Sequence, residues 1–110
     1  MRMITVSALS LMASASLAAA QTEIQWWHAM GGELGTKLEA ITTAYNASQT
    51  EYKVTPSFKG TYAETMTAAI AAFRAGEQPA IVQVFEVGTG TMMAAKGAIY
   101  PVYQLMKDAG

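Results

Sequence analysis

The chain contains no cysteine, a single histidine and three prolines in 110 residues. Without Cys there is no disulfide framework, no thiolate metal site and no thiol nucleophile. One His cannot supply the ligand pair of a common zinc site. Neither sign of charge dominates: seven Lys and Arg stand against eight Asp and Glu, with no like-charge run. That leaves no basic surplus for binding nucleic acid. Phosphate-binding glycine motifs are missing as well. Gly31-Gly32-Glu33-Leu34-Gly35 lacks the spacing of a dinucleotide fingerprint, and no P-loop or G-x-S-x-G nucleophile elbow is present. What the chain does have is apolar content, at 52% of residues, which argues against a disordered tail. Its length allows one domain or part of one.

Part of that apolar content is an address. Met1–Ala20 has one charge, Arg2, then an apolar and small stretch from Ile4 to Leu17, and ends in Ala18-Ala19-Ala20. A positive head, an apolar middle and a small-residue exit describe a secretory signal peptide. The middle is too short and too rich in Ser and Ala for a membrane span, which takes about 20 predominantly apolar residues. Cleavage after Ala20 would leave Gln21–Gly110 as an exported product, periplasmic in a two-membrane bacterium, and no later stretch is apolar enough to cross a bilayer.

The remaining sequence alternates two periods. Glu23–His28, Glu51–Ser57 and Ala80–Val84 read as strands, the last a compact apolar run expected to be buried. Pro56 restricts the second strand to an edge or a strand end. Glu33–Asn46 reads as a helix with Leu34, Leu38, Ile41 and Tyr45 on one face. Tyr62–Ala75 is a second helix, capped by Thr61 and stopped at Gly76, with Met66, Ala69, Ile70 and Phe73 as its apolar face. Thr91–Lys96 and Tyr100–Met106 read as further helical segments, the latter with Pro101 in its first turn. This β-α-β-α-β-α order predicts an α/β fold with a mainly parallel open sheet. Three strands make an incomplete doubly wound domain, so the chain reads as part of a larger one.

Ligands of open α/β sheets sit beyond the carboxyl ends of the strands. That selects the loops Trp27–Gly32, Phe58–Tyr62 and Phe85–Thr89. Glu86 follows an apolar strand, and an ionised carboxylate there suits a ligand with hydroxyls. From spacing alone it is equally well a solvated loop residue or a helix-start residue. Tyr62 offers a ring and a hydroxyl, although a first-turn residue packed on its neighbour explains it as well or better. Trp26 and Trp27 are adjacent, so in a strand they face opposite sides; one belongs to the core and Trp27 is a candidate for the cleft. His28 reads as a structural or ligand-contacting residue rather than a catalytic one. Lys59, Arg74 and Lys96 are the only cations near these loops, and the sequence singles out none of them to hold an anion.

Four segments together carry a specific likeness: WWHAMGGELG (Trp26–Gly35), FKGTY (Phe58–Tyr62), AAFRAGEQPAIVQVFEVGTGTMMAAKGAIYPV (Ala71–Val102) and the exported start. The chain resembles the periplasmic solute-binding subunit of bacterial sn-glycerol-3-phosphate ABC importers, within extracellular solute-binding protein family 1. The likeness covers essentially all of Ile24–Gly110, and the QVFEVGT stretch is its most specific part. It implies a fold of two α/β lobes that close around a ligand, with residues 21–110 as the start of the first lobe. It implies ligand contacts at Tyr62, from the K-G-x-Y motif, and at Glu86, from Q-V-[YF]-E-V-G. Phe85 stands where the family usually has Tyr. The ligand implied is sn-glycerol-3-phosphate or a glycerophosphodiester. The partners implied are an ABC permease and its ATPase, and the full-length form is expected as a monomer without cofactor or metal.

Three other readings stay open at this point. One is a related sugar-binding importer subunit. Another is an exported hydrolase pairing His28 with Glu86, for which the chain lacks a recognisable nucleophile or metal set. The third is a fragment with no binding of its own.

Overall fold

The computed structural model describes residues 20–110. The expected export signal, apart from Ala20, lies outside the described residues. The elements are β1 (Thr22–His28), α1 (Gly32–Ser48), β2 (Tyr52–Phe58), α2 (Tyr62–Ala75), β3 (Ile81–Val82), a single 3-10 turn (Glu86–Gly88), α3 (Thr89–Ala94) and α4 (Val102–Ala109). The three strands form one parallel sheet in the order β2-β1-β3. β1 pairs with β2 from Thr22↔Tyr52 to His28↔Phe58, and with β3 at Trp26↔Ile81 and Trp27↔Val82. This is the mixed α/β architecture with an open parallel sheet that the alternation predicts.

The free edge of β2 is sealed by side chains. Asn46 donates from Nδ2 to the Val54 carbonyl at 2.8 Å and accepts the Val54 N–H on Oδ1 at 2.8 Å. Gln49 repeats the arrangement on Tyr52, donating to its carbonyl at 2.6 Å and accepting its N–H at 2.7 Å. Two residues further along is Pro56, which has no N–H to leave unpaired. The amide that would weaken a helix end thus satisfies the backbone of the neighbouring strand, and α1 continues past Asn46 to Ser48.

α2 begins and ends as its sequence dictates. The Thr61 hydroxyl accepts the Glu64 N–H, and the Glu64 carboxylate accepts the Thr61 N–H, a reciprocal capping box. These bonds from Thr61 hold the Glu64 carboxyl below its usual pKa. Gly76 closes the helix in the left-handed region at φ 74°, where a side chain would be strained.

Packing departs from the sequence reading in four places, the first being Phe73, expected on the apolar face of α2 but exposed. α1 meets the sheet along Leu38 and Thr42, which are buried, whereas Leu34, Ile41 and Tyr45 are exposed. The apolar stripe is therefore rotated away from the line of contact, and no other described element covers it. β3 is two residues long rather than the five of the apolar run, and Ile81 is exposed. It pairs only with β1, so nothing extends the ladder on its far side. At the C-terminal end, the 3-10 turn and α3 begin earlier than the expected helix, and α4 starts after Pro101, which precedes the helix rather than opening its first turn.

Candidate functional site

Backbone hydrogen bonds draw the three loops together at the carboxyl end of the sheet. The Lys59 N–H donates to the His28 carbonyl at 2.9 Å, and the Gln83 N–H donates to the Trp27 carbonyl at 2.9 Å. The Gln83 side chain then accepts the Ala29 N–H at 2.9 Å, fastening the first loop to the end of β3. Gln83 was not among the candidates, and its one signal in the sequence is being the polar residue inside the run IVQV.

Tyr62 and the loop after β3 meet ring to ring. The Tyr62 ring lies parallel to Phe85, with centroids 5.4 Å apart and an interplanar angle of 15°. Glu86 is the residue after Phe85 in sequence, so the stack and Glu86 share the loop at the carboxyl end of β3. Glu86 opens the 3-10 turn and is exposed; among the described residues its carboxylate takes no hydrogen bond and no ion pair. Gly88 holds the turn close. A Cβ there would meet the Phe85 ring at 2.7 Å and the Met66 sulfur at 2.9 Å.

Trp27 and His28 face opposite sides of β1, as adjacent strand residues must. Trp27 is half-buried, with the Lys59 ammonium 4.2 Å from its ring centroid. His28 is buried on the other side, edge-on to Trp26 at 6.2 Å and tilted against Phe58 at 6.1 Å. Its Nδ1 accepts the Met30 N–H at 3.2 Å, which puts the proton of the neutral ring on Nε2. Burial lowers the His28 pKa, outweighing the nearby Glu39 carboxylate, which raises it. His28 lines a cleft of about 280 Å³ with Met30, Gly31, Glu39 and Phe58, under the start of α1. The carboxylate acting on His28 is therefore Glu39. No hydrogen bond joins His28 to Glu86, and the pair a hydrolase would need is not assembled.

Two other features bear on charge. A depression of about 490 Å³ at the opposite, amino end of the sheet is lined by Glu23 and Glu77 and by no cation. Among the described residues, no group of three or more His, Asp or Glu could hold a metal ion, and no helix is long and apolar enough to cross a membrane.

The sequence is similar to those of curated proteins named as periplasmic binding proteins. The chain is 51% identical over all 110 of its residues to the sn-glycerol-3-phosphate-binding periplasmic protein UgpB of Rhizobium meliloti (strain 1021), of which it covers 26%. It is 56% identical over 102 residues, 93% of its length, to the protein of the same name from Yersinia pestis bv. Antiqua (strain Antiqua), covering 23% of it. With that of Escherichia coli O1:K1 / APEC it shares 50% identity over 107 residues, covering 24% of that protein. The chain spans about a quarter of the length of the curated relatives it matches. No family model matches it.

Proposed function

We propose that this chain supplies one wall of the ligand site of a periplasmic solute-binding subunit, which captures sn-glycerol-3-phosphate for an ABC importer. The observation that carries the reading is the Tyr62–Phe85 stack at the carboxyl end of a parallel sheet, followed in sequence by Glu86, whose carboxylate has no partner among the described residues. Glu86 accepts hydrogen bonds from the glycerol hydroxyls, and the Tyr62 hydroxyl donates or accepts alongside it. With one face of its ring against Phe85, Tyr62 keeps the other face and its hydroxyl for the ligand. The 50–56% identity to proteins named for binding this ligand supports the same assignment.

No covalent chemistry is required. Capture proceeds by closure of a second lobe onto this wall, a hinge motion that a permease and its ATPase read. Residues 21–110 form the start of the first lobe, residues 1–20 direct export, and the complete protein acts as a monomer. Trp27 and His28 lie on opposite sides of β1, Trp27 under the Lys59 ammonium and His28 in the cleft under the start of α1, and either is a candidate to reach the ligand.

The test uses a full-length hybrid in which Gln21–Gly110 replaces the matching quarter of the Rhizobium meliloti relative. Calorimetry should show sn-glycerol-3-phosphate binding that Glu86→Ala weakens about ten- to a hundred-fold, the loss expected for hydrogen bonds to a charged acceptor. Unchanged affinity in that variant would sink the assignment of Glu86. A hybrid stabilised by maltose but not by sn-glycerol-3-phosphate in a thermal-shift assay would favour the sugar-binding reading instead.

A further inference from the structure

A glycerol phosphate has two ends, and Glu86 with Tyr62 accounts for one. A carboxylate repels a phosphate dianion, so the other end needs a cation or free backbone N–H groups. The start of α2 does not offer them, because the Glu64 carboxylate already occupies it. The start of α1 carries Glu33 in its first turn.

The cations sort by position. Lys37 is paired with Glu33 at 3.1 Å. Lys53 lies opposite Glu23 in the ladder, toward the amino end of the sheet. Arg74 is in the last turn of α2, Lys96 in the exposed turn that follows α3, and Lys107 in the last turn of α4. Lys59 alone is fixed at the carboxyl ends of the strands. Its N–H is bonded to the His28 carbonyl, its ammonium lies over the Trp27 ring, and it stands three residues before Tyr62. Lys59 is half-buried, and among the described residues no carboxylate pairs with it.

We infer that Lys59 is the residue of this wall that recognises the ligand's phosphate, with Trp27 holding its ammonium in place until the ligand arrives. The inference rests on the binding function proposed above and adds to it the source of anion selectivity. An ammonium over an indole is attracted to the ring but keeps its N–H donors unpaired. A phosphate offers those donors charged acceptors, which make the stronger bonds. Capture exchanges the indole for the phosphate as the partner of the lysine head, while the half-buried stem stays where it is. Glu86 and Lys59 together give one wall an acceptor for hydroxyls and a cation for phosphate. That is a match for a polyol monophosphate and a mismatch for a neutral sugar.

The full-length hybrid described above provides the test, with Lys59→Met and Lys59→Arg introduced separately. Met keeps an unbranched apolar stem against Trp27 and removes the charge; Arg keeps the charge. Lys59→Met should bind sn-glycerol-3-phosphate about tenfold or more weakly, with an unchanged melting temperature, while Lys59→Arg stays within about threefold of the parent. The deficit of the Met variant should shrink as sodium chloride is raised, because the lost contact is a charge pair. Parental affinity in Lys59→Met overturns the lysine's role and leaves the Glu86 assignment standing. Equal weakening by Met and Arg also overturns it, because charge is then not the cause. A parent hybrid that binds no sn-glycerol-3-phosphate overturns the binding function and the lysine's role together.

Discussion

Gly88 shows how a single missing side chain can govern a site it does not touch. Its backbone is ordinary, at φ −80° and ψ −14°, so alanine there meets no conformational barrier. The barrier is steric, because the Phe85 ring and the Met66 sulfur occupy the space. Gly88→Ala should push Phe85 off Tyr62 and destabilise the fold by about 1–3 kcal/mol, as overpacking does. Loss of near-ultraviolet circular dichroism, with far-ultraviolet signal retained, would report the broken stack; an unaltered aromatic signal would show that Phe85 does not depend on Gly88. At this scale the sequence is only partly legible. Glu86 and Tyr62 can be located because strand ends are predictable and ligands gather there. The partners of their neighbours cannot, because Phe85 meets Tyr62 and Lys59 meets Trp27 only once separate strands have been paired.

Among the elements, β1, β2 and α2 follow local rules closely, and α1 and β3 do not. The start of α2 is written in Thr61 and Glu64, and its end in Gly76, so local chemistry alone sets its limits. α1 illustrates the opposite case. Its apolar spacing identifies a helix correctly, yet the line that meets the sheet runs through Leu38 and Thr42, chosen by the crossover from β1 to β2. Asn46 is the residue on which that crossover closes. Asn46→Ala should remove both bonds to Val54 and lower stability by about 1–2 kcal/mol, measured by urea unfolding. Faster hydrogen exchange at the Val54 amide should accompany the loss. Exchange at the parental rate would mean that the edge is protected by something other than this side chain.

Over the whole molecule, the described residues bury few large side chains. Leu38, Ala69 and Met92 are the buried hydrophobics, while Leu34, Ile41 and Tyr45 form an uncovered stripe along α1. Alternation of strand and helix made the architecture legible, but the sequence cannot say which apolar face finds a partner within its own length. The chain of residues 21–110 alone should bind the dye ANS, and changing Ile41 and Tyr45 to Glu should reduce that fluorescence while leaving helix content unchanged. A dark parent would show that the stripe is covered after all.

The sheet also differs at its two margins. On β2, Asn46, Gln49 and Pro56 leave little for another strand to bond. On β3, Gln83 turns its N–H inward to Trp27, so the alternation of the ladder turns the Val82 N–H and carbonyl outward. In the language of polymerisation the unit is monofunctional. It can be lengthened once, beyond β3, and two copies meeting there would exhaust their reactive margins and present only capped ones. Such a molecule ends a growing stack instead of propagating it.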